Sequence, residues 1–266
     1  MILAMMLAAS CPHVFAPPIG APLTVTTREE RRLGKSAYNF TLIHQLGFTR
    51  DADGLVAEVI LTSLQADAPA PIAAAFEAGE GALREVPIRY RLSSDGCTAT
   101  PMDPANVATR IRAGGDAMLA TRPAEGPARE DMARLTAHLR AMQPPEATTM
   151  LVDLIRPLLP AAGQRDAGAI VRNVASPLGG ETPLSGTRTV SNGANGIFVR
   201  ETYGSSTAGL LTAAAPAVAL TMEQRQRIDA DTGLTIETVT DSVATIARPS
   251  GPLVQNSRKS ITIALR

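Results

Sequence analysis

The sequence predicts an α+β fold, in which a curved antiparallel β-sheet (a half-barrel-like meander) carries an inserted block of helices packed on one face. Three observations lead there. β-branched and alternating runs occupy the chain before Asp103 and again from Ala169 onward. The stretch between them, Asp103 to Leu159, has the 3.6-residue periodicity of helices. The β-rich runs are joined by short turns of Gly, Asn, Ser and Pro, which suit hairpins rather than parallel crossovers.

Taken in order, a proline-rich leader from Ala16 to Pro22 precedes a first strand, Leu23 to Thr27, expected to end in the charged turn Arg28 to Lys35. Two long strands follow, Ala37 to Thr49 and Leu55 to Gln65, meeting at the Asp53-Gly54 hairpin signal. Pro71 to Leu83 reads as a short helix with Ile72, Ala75, Phe76 and Leu83 on one side. Pro87 to Leu92 and Cys97 to Met102 form a further hairpin around Ser93 to Gly96.

Asp103-Pro104 opens the helical block, because aspartate caps a helix and proline suits its first turn. Gly114-Gly115, Arg122-Pro123 and Gly126-Pro127 are expected breaks within it. Met132, Leu135, Leu139 and Met142 form one apolar stripe, and Leu151, Leu154, Ile155 and Leu158 the next. Strands return at Ala169 to Ser176, Pro183 to Val190, Gly196 to Tyr203, Ala208 to Ala213 and Ser260 to Leu265.

The longest hairpin lies between Ala217 and Ala244. Val218, Leu220 and Met222 alternate with Thr221, Glu223, Arg225 and Arg227, giving one dry face, and Asp229 to Gly233 supply the turn. A tight turn places Arg225 near Glu237, a cross-strand pair that contributes about 0.2–1 kcal/mol. The order strands, helices, strands suits one domain over residues 17–266, and the alternative is a split near Gly163 with a separate C-terminal sandwich or barrel.

This order of elements resembles the half-barrel of the periplasmic lipoprotein-carrier superfamily, in which helices inserted between early and late strands cover a curved antiparallel sheet. The resemblance spans most of the chain after residue 16 as an order of elements, with no shared motif, and it implies a fold rather than an activity.

Charge and composition exclude one large class. Lysine plus arginine equal aspartate plus glutamate, 25 against 25, and aromatic residues make up 3% with no tryptophan. There is no net cationic field for nucleic acid, and stacking side chains are scarce. Residues 1–16 read as a signal peptide, apolar from Ile2 to Cys11 and ending in Val14-Phe15-Ala16. A second reading ends a lipoprotein signal before Cys11, with Ala8-Ala9-Ser10-Cys11 as the processing motif and an acyl anchor on the cysteine. Either places the protein in the periplasm or outside the cell, with no transmembrane segment in the mature chain. Cys97 is the only cysteine beyond this region and is expected to be a free thiol unless Cys11 is retained.

No catalytic or metal-binding motif stands. Asp229-x-Asp231-x-Gly233 begins like a calcium loop, but Gly233 and Thr240 occupy positions where further oxygen ligands are needed. Asp231-Thr232-Gly233 has the aspartic-protease triplet without its apolar lead-in or a second copy. Gly34-Lys35-Ser36 lacks the first glycine of a phosphate loop, and Gly204 to Gly209 lacks the spacing of a hydrolase elbow. His44 is expected on the polar face of a strand, His138 on a helix flank, and nothing places Cys97 beside His44. No cofactor is implied.

The expected function is therefore binding rather than catalysis: a lipid or other hydrophobic ligand in a groove between sheet and helices, lined by Met132, Leu135, Leu139, Met142, Leu151 and Leu154. An envelope scaffold that binds a protein partner through its sheet is the alternative, and a hydrolase of unrecognised type the third.

Overall fold

A computed structural model describes residues 15–34, 36–161, 163–175, 181–194, 196–207, 218–246 and 252–264. The apolar N-terminal run, the motif Ala8 to Cys11, Val14 of the second processing motif and the strand expected at Ala208 to Ala213 lie outside these residues. Among the described residues, eleven antiparallel strands form one curved sheet. In chain order they are β1 (Leu23–Leu33), β2 (Ser36–Asp51), β3 (Gly54–Asp67), β4 (Pro87–Leu92), β5 (Ala99–Pro101), β6 (Gly168–Ala175), β7 (Glu181–Gly193), β8 (Gly196–Thr207), β9 (Val218–Ile228), β10 (Thr235–Ile246) and β11 (Leu253–Ala264). The helices are α1 (Ala70–Gly81), α2 (Pro104–Ala120), α3 (Pro127–Arg140) and α4 (Pro144–Ile155), the last followed by a 3-10 turn, Arg156–Leu158.

The strand order, β5-β4-β3-β2-β1-β11-β10-β9-β8-β7-β6, puts the first and last strands side by side in the middle. Five strands step outward to one edge, and six step back inward from the other. The connection between β5 and β6 therefore joins the sheet's two edges, and α2, α3 and α4 lie within it. Strands on both sides of Gly163 belong to this one sheet.

The helical block fills the inner face at one end. Leu23, Val25, Leu46, Phe48, Ile261 and Ile263 point from the central strands into one core with Val107 and Ile111 of α2 and Met142, Leu151 and Ile155 around α4. Tyr90 of β4, fully buried, donates its hydroxyl to the carbonyl of Leu151 at 3.0 Å, tying sheet to helix where an unpaired phenol would be costly. Asp103 caps α2 by accepting from Asn106 N–H at 3.2 Å.

Four expectations change. The charged run after Thr27 is not a turn: β1 continues to Leu33, flanked by β2 and β11 throughout, so Glu29 and Arg31 fall on the inner face and Glu30 and Arg32 on the outer. Gly114-Gly115 does not break α2. A Cβ on Gly114 would lie 2.7 Å from the Gly79 carbonyl oxygen, and one on Gly115 2.8 Å from Arg140 Cγ, so this pair lets α1 and α3 approach α2 closely. Arg225 faces Val239 and pairs with Asp241 at 2.9 Å, while Arg227 takes Glu237 at 3.3 Å. The turn is longer than a tight hairpin and a bulge follows Thr235, which moves the register. Finally, the last strand starts at Leu253, because β1 and β10 both offer it ladder partners well before Ser260.

Candidate functional site on the inner face of the sheet

Alternation assigns the inner face residue by residue, starting from the buried Val25 and Leu46. Cross-strand pairing carries it through Tyr38, Phe40 and His44 of β2, Glu29 and Arg31 of β1, and Ser257, Lys259 and Ile261 of β11. It continues through Thr238, Thr240, Ser242 and Ala244 of β10, Met222, Gln224 and Gln226 of β9, Glu201 and Tyr203 of β8, and Arg188 of β7.

This face has three levels. The first is the apolar core under α2 and α4. The second is polar and sealed. Gln164, in the connection after α4, donates to Gln226 at 3.2 Å and to Thr235 at 3.4 Å. Arg188 and Tyr203 both reach Glu201, which is 4% exposed, and Arg172 of β6 donates to Gln224. Thr238 is buried beside Gln226 with its hydroxyl unpartnered. Burial and the Glu201 carboxylate together push the Tyr203 phenol up to about 12.

The third level begins where α1 crosses the sheet. Phe76 of α1 stacks on Phe40, ring centroids 4.6 Å apart, and the Arg31 guanidinium sits 5.7 Å from the Phe40 centroid. Glu80 of α1 has its carboxyl raised by burial, against the opposing pull of Lys259. Beyond these charges the floor is small or apolar: Thr240, Ser242, Ser257, Ala244, Met222 and Tyr203. Phe40, Leu184, Tyr203, Ala244 and Ile246 are buried, yet belong to neither packed cluster of described apolar residues.

His44 is not on a polar face. It is 7% exposed, opposite Val25, and burial together with Lys259 lowers its pKa from 6.5 to about 4, so the imidazole is neutral at pH 7. Cys97 is disulfide-bonded, not a free thiol, and so offers no thiolate to His44. Asp229 closes the β9–β10 turn by accepting from Thr232 N–H at 2.9 Å and Thr232 Oγ1–H at 2.6 Å. Among the described residues no three His, Cys, Asp or Glu side chains converge as a metal ligand set.

Of the six residues expected to line a groove, Leu139, Met142, Leu151 and Leu154 meet in or against the main core, while Met132 and Leu135 lie apart from them. Met142 and Leu151 are 1% and 2% exposed in the main core, with Leu139 and Leu154 half-buried against it. Met132 packs with Ala75 and Leu119 in a smaller cluster. Leu135 is 67% exposed on α3. The reason is layering, since α3 packs on α2 rather than on the sheet, through Met132 and the fully buried Thr136, whose hydroxyl returns to the Met132 carbonyl at 2.9 Å. Leu135 and Met132 instead border an outer hollow of about 570 Å³ with Pro71, Arg122, Pro123 and Asp131. A second hollow, about 600 Å³, lies on the sheet's outer face among Glu30, Arg32, Glu223, Asp241 and Arg258.

The inner-face residues of the third level were not singled out together in the sequence, because their strands meet only through long-range pairing. No protein-family model matches the chain, and no curated protein matches it in sequence. Among the described residues no helix is long and apolar enough to cross a membrane.

Proposed function

We propose that this is an exported envelope protein that holds a lipid or other long apolar molecule on the inner face of its sheet, in the half beyond α2 and α4. The observation that carries this reading is the set of buried inner-face residues, Phe40, Tyr203, Ala244 and Ile246, that lie outside both packed clusters of described residues. Around them Thr240, Ser242 and Ser257 have small side chains, and Arg31 and Lys259 stand at one end for a polar or acidic head. Burying apolar ligand surface contributes about 25 cal/mol per Å² before the costs of association. The resemblance in element order to periplasmic lipoprotein carriers agrees with this reading. The binding surface differs from the helix stripe, of which Met142 and Leu151 are buried in the main core. Native mass spectrometry of protein taken from its own envelope is the test. A lipid-sized adduct is expected, retained in Leu135→Glu and lost in Ser242→Trp, and the absence of any adduct in the unaltered protein overturns the reading.

A second reading, a scaffold that takes up a partner through its sheet, is favoured by the edge position of β6, where Val171 is 72% exposed. Photocrosslinking from position 171 in the envelope would then capture a protein, which a carrier of small molecules does not require.

A further inference from the structure

We propose that the molecule held on the inner face is a single-chain amphiphile with one negative charge on its head, and that this head lies between Lys259 of β11 and Thr240 of β10, beneath α1. This gives a chemical class to the ligand of the carrier reading above, on which it rests. Strand pairing fixes the place. Lys259 lies across from Glu29 of β1 on one side and Thr240 on the other, all on the inner face. Residues opposed in this way have Cβ atoms about 4.5–5.5 Å apart. Phe76 and Glu80, four residues apart on α1, share a face of that helix. Phe76 stacks on Phe40, which sits opposite Glu29, so Glu80 is brought over the same strands.

The charges gathered there do not cancel. Glu29 holds Arg31 at 2.6 Å. Farther across the face, Glu201 takes Arg188 at 2.6 Å and Arg172 at 3.9 Å. Lys259 is exposed, and among the described residues no carboxylate reaches it as an ion pair. Glu80 is the carboxyl that senses Lys259, but burial works against its charge. One ammonium is thus left without a counter-charge. A monoanionic head neutralises it, whereas a neutral head leaves it unpaired and a doubly charged one exceeds it. The two oxygens of a carboxylate or a phosphodiester can accept from the Lys259 ammonium and the Thr240 hydroxyl, and the first of these bonds is charge-assisted. From there the chain has a floor of Ser242, Met222 and Tyr203 leading to Leu184 of β7, four strand steps or roughly 19 Å away.

The test is calorimetric titration of the delipidated full chain with monomeric laurate, lauroyl-lysophosphatidylglycerol, dodecanol and dodecylamine. The tighter of the two monoanions, which identifies the head as carboxylate or phosphodiester, is expected to bind about tenfold or more tightly than dodecanol. That advantage is expected to shrink at high salt. Lys259→Gln is expected to erase it with dodecanol affinity unchanged, Lys259→Arg to keep it, and Lys259→Glu to turn the preference toward dodecylamine. Monoanions no tighter than dodecanol, or an advantage that survives in Lys259→Gln, overturn the assignment of the head and leave the carrier standing. Absence of binding by all four overturns the carrier reading and this proposal with it.

Discussion

The guanidinium of Arg188 grips one oxygen of Glu201, with Nε 2.7 Å and Nη2 2.6 Å from Oε1, at a point on the inner face where the Glu201 side chain is 6% and the Arg188 side chain 17% exposed. Both charges are out of water, so each depends on the other. Glu201→Leu should cost about 3–5 kcal/mol by denaturant melt, because it leaves Arg188 buried without its carboxylate. Adding Arg188→Met should recover most of that loss. A Glu201→Leu midpoint equal to that of the unaltered protein would show that the pair is solvated.

Tyr203 also bonds to Glu201, and its phenol is pushed up to about 12; burial raises Tyr90 as well. In the unfolded chain these phenols release protons near 10, whereas the folded protein keeps them, so stability falls as pH rises from about 10 toward 12. Ultraviolet difference titration should show Tyr203 and Tyr90 ionising only late or with alkaline unfolding. Early ionisation of Tyr203 and Tyr90 would contradict their burial.

His44 has the opposite sign. Its pKa falls from 6.5 to about 4, so between those values the unfolded state binds more protons than the folded state and stability is lost as pH drops. The span corresponds to about 3 kcal/mol, complete below about pH 4. His44→Leu should flatten the stability-pH curve across this window. A curve unchanged by the substitution would assign the acid sensitivity elsewhere.

Gly114→Ala tests the helix crossing. Alanine is the better helix former by about 1 kcal/mol, but its Cβ would meet the Gly79 carbonyl oxygen at 2.7 Å, and a backbone oxygen cannot swing away. Overpacking of this kind costs about 1–3 kcal/mol, so a net loss of about 1–2 kcal/mol is expected. Gly47→Ala, with nothing within 4 Å of its new Cβ, is the control and should change Tm little.

Much of the architecture was legible along the chain. Asp53-Gly54 marked a hairpin, and Gly54 does take φ 126°; Asp103-Pro104 marked the start of α2. Local chemistry of this kind needs only neighbours in sequence. What was misread depends on distant partners. Gly114-Gly115 sends the same signal whether a helix breaks or another helix comes close. Arg28 to Arg32 look like a turn until β2 and β11 are known to flank them, and Leu135 looks like a lining residue until α3 is seen to lie on α2. His44 reads as a polar-face residue because period-two alternation does not say that its side faces the core. The adjacency of β1 and β11 brings Glu29 beside Lys259, and nothing local to either residue announces it.

The central claim, an apolar molecule lying on the inner face beyond the helices, is tested most directly by photolabelling with a fatty acid that carries a diazirine on its chain. The account predicts label on peptides from β2 around Phe40, from β9 around Met222 and from β10 around Ser242, reduced at least tenfold in Ser242→Trp. Label confined to α3 around Leu135, or no saturable label anywhere, would contradict it.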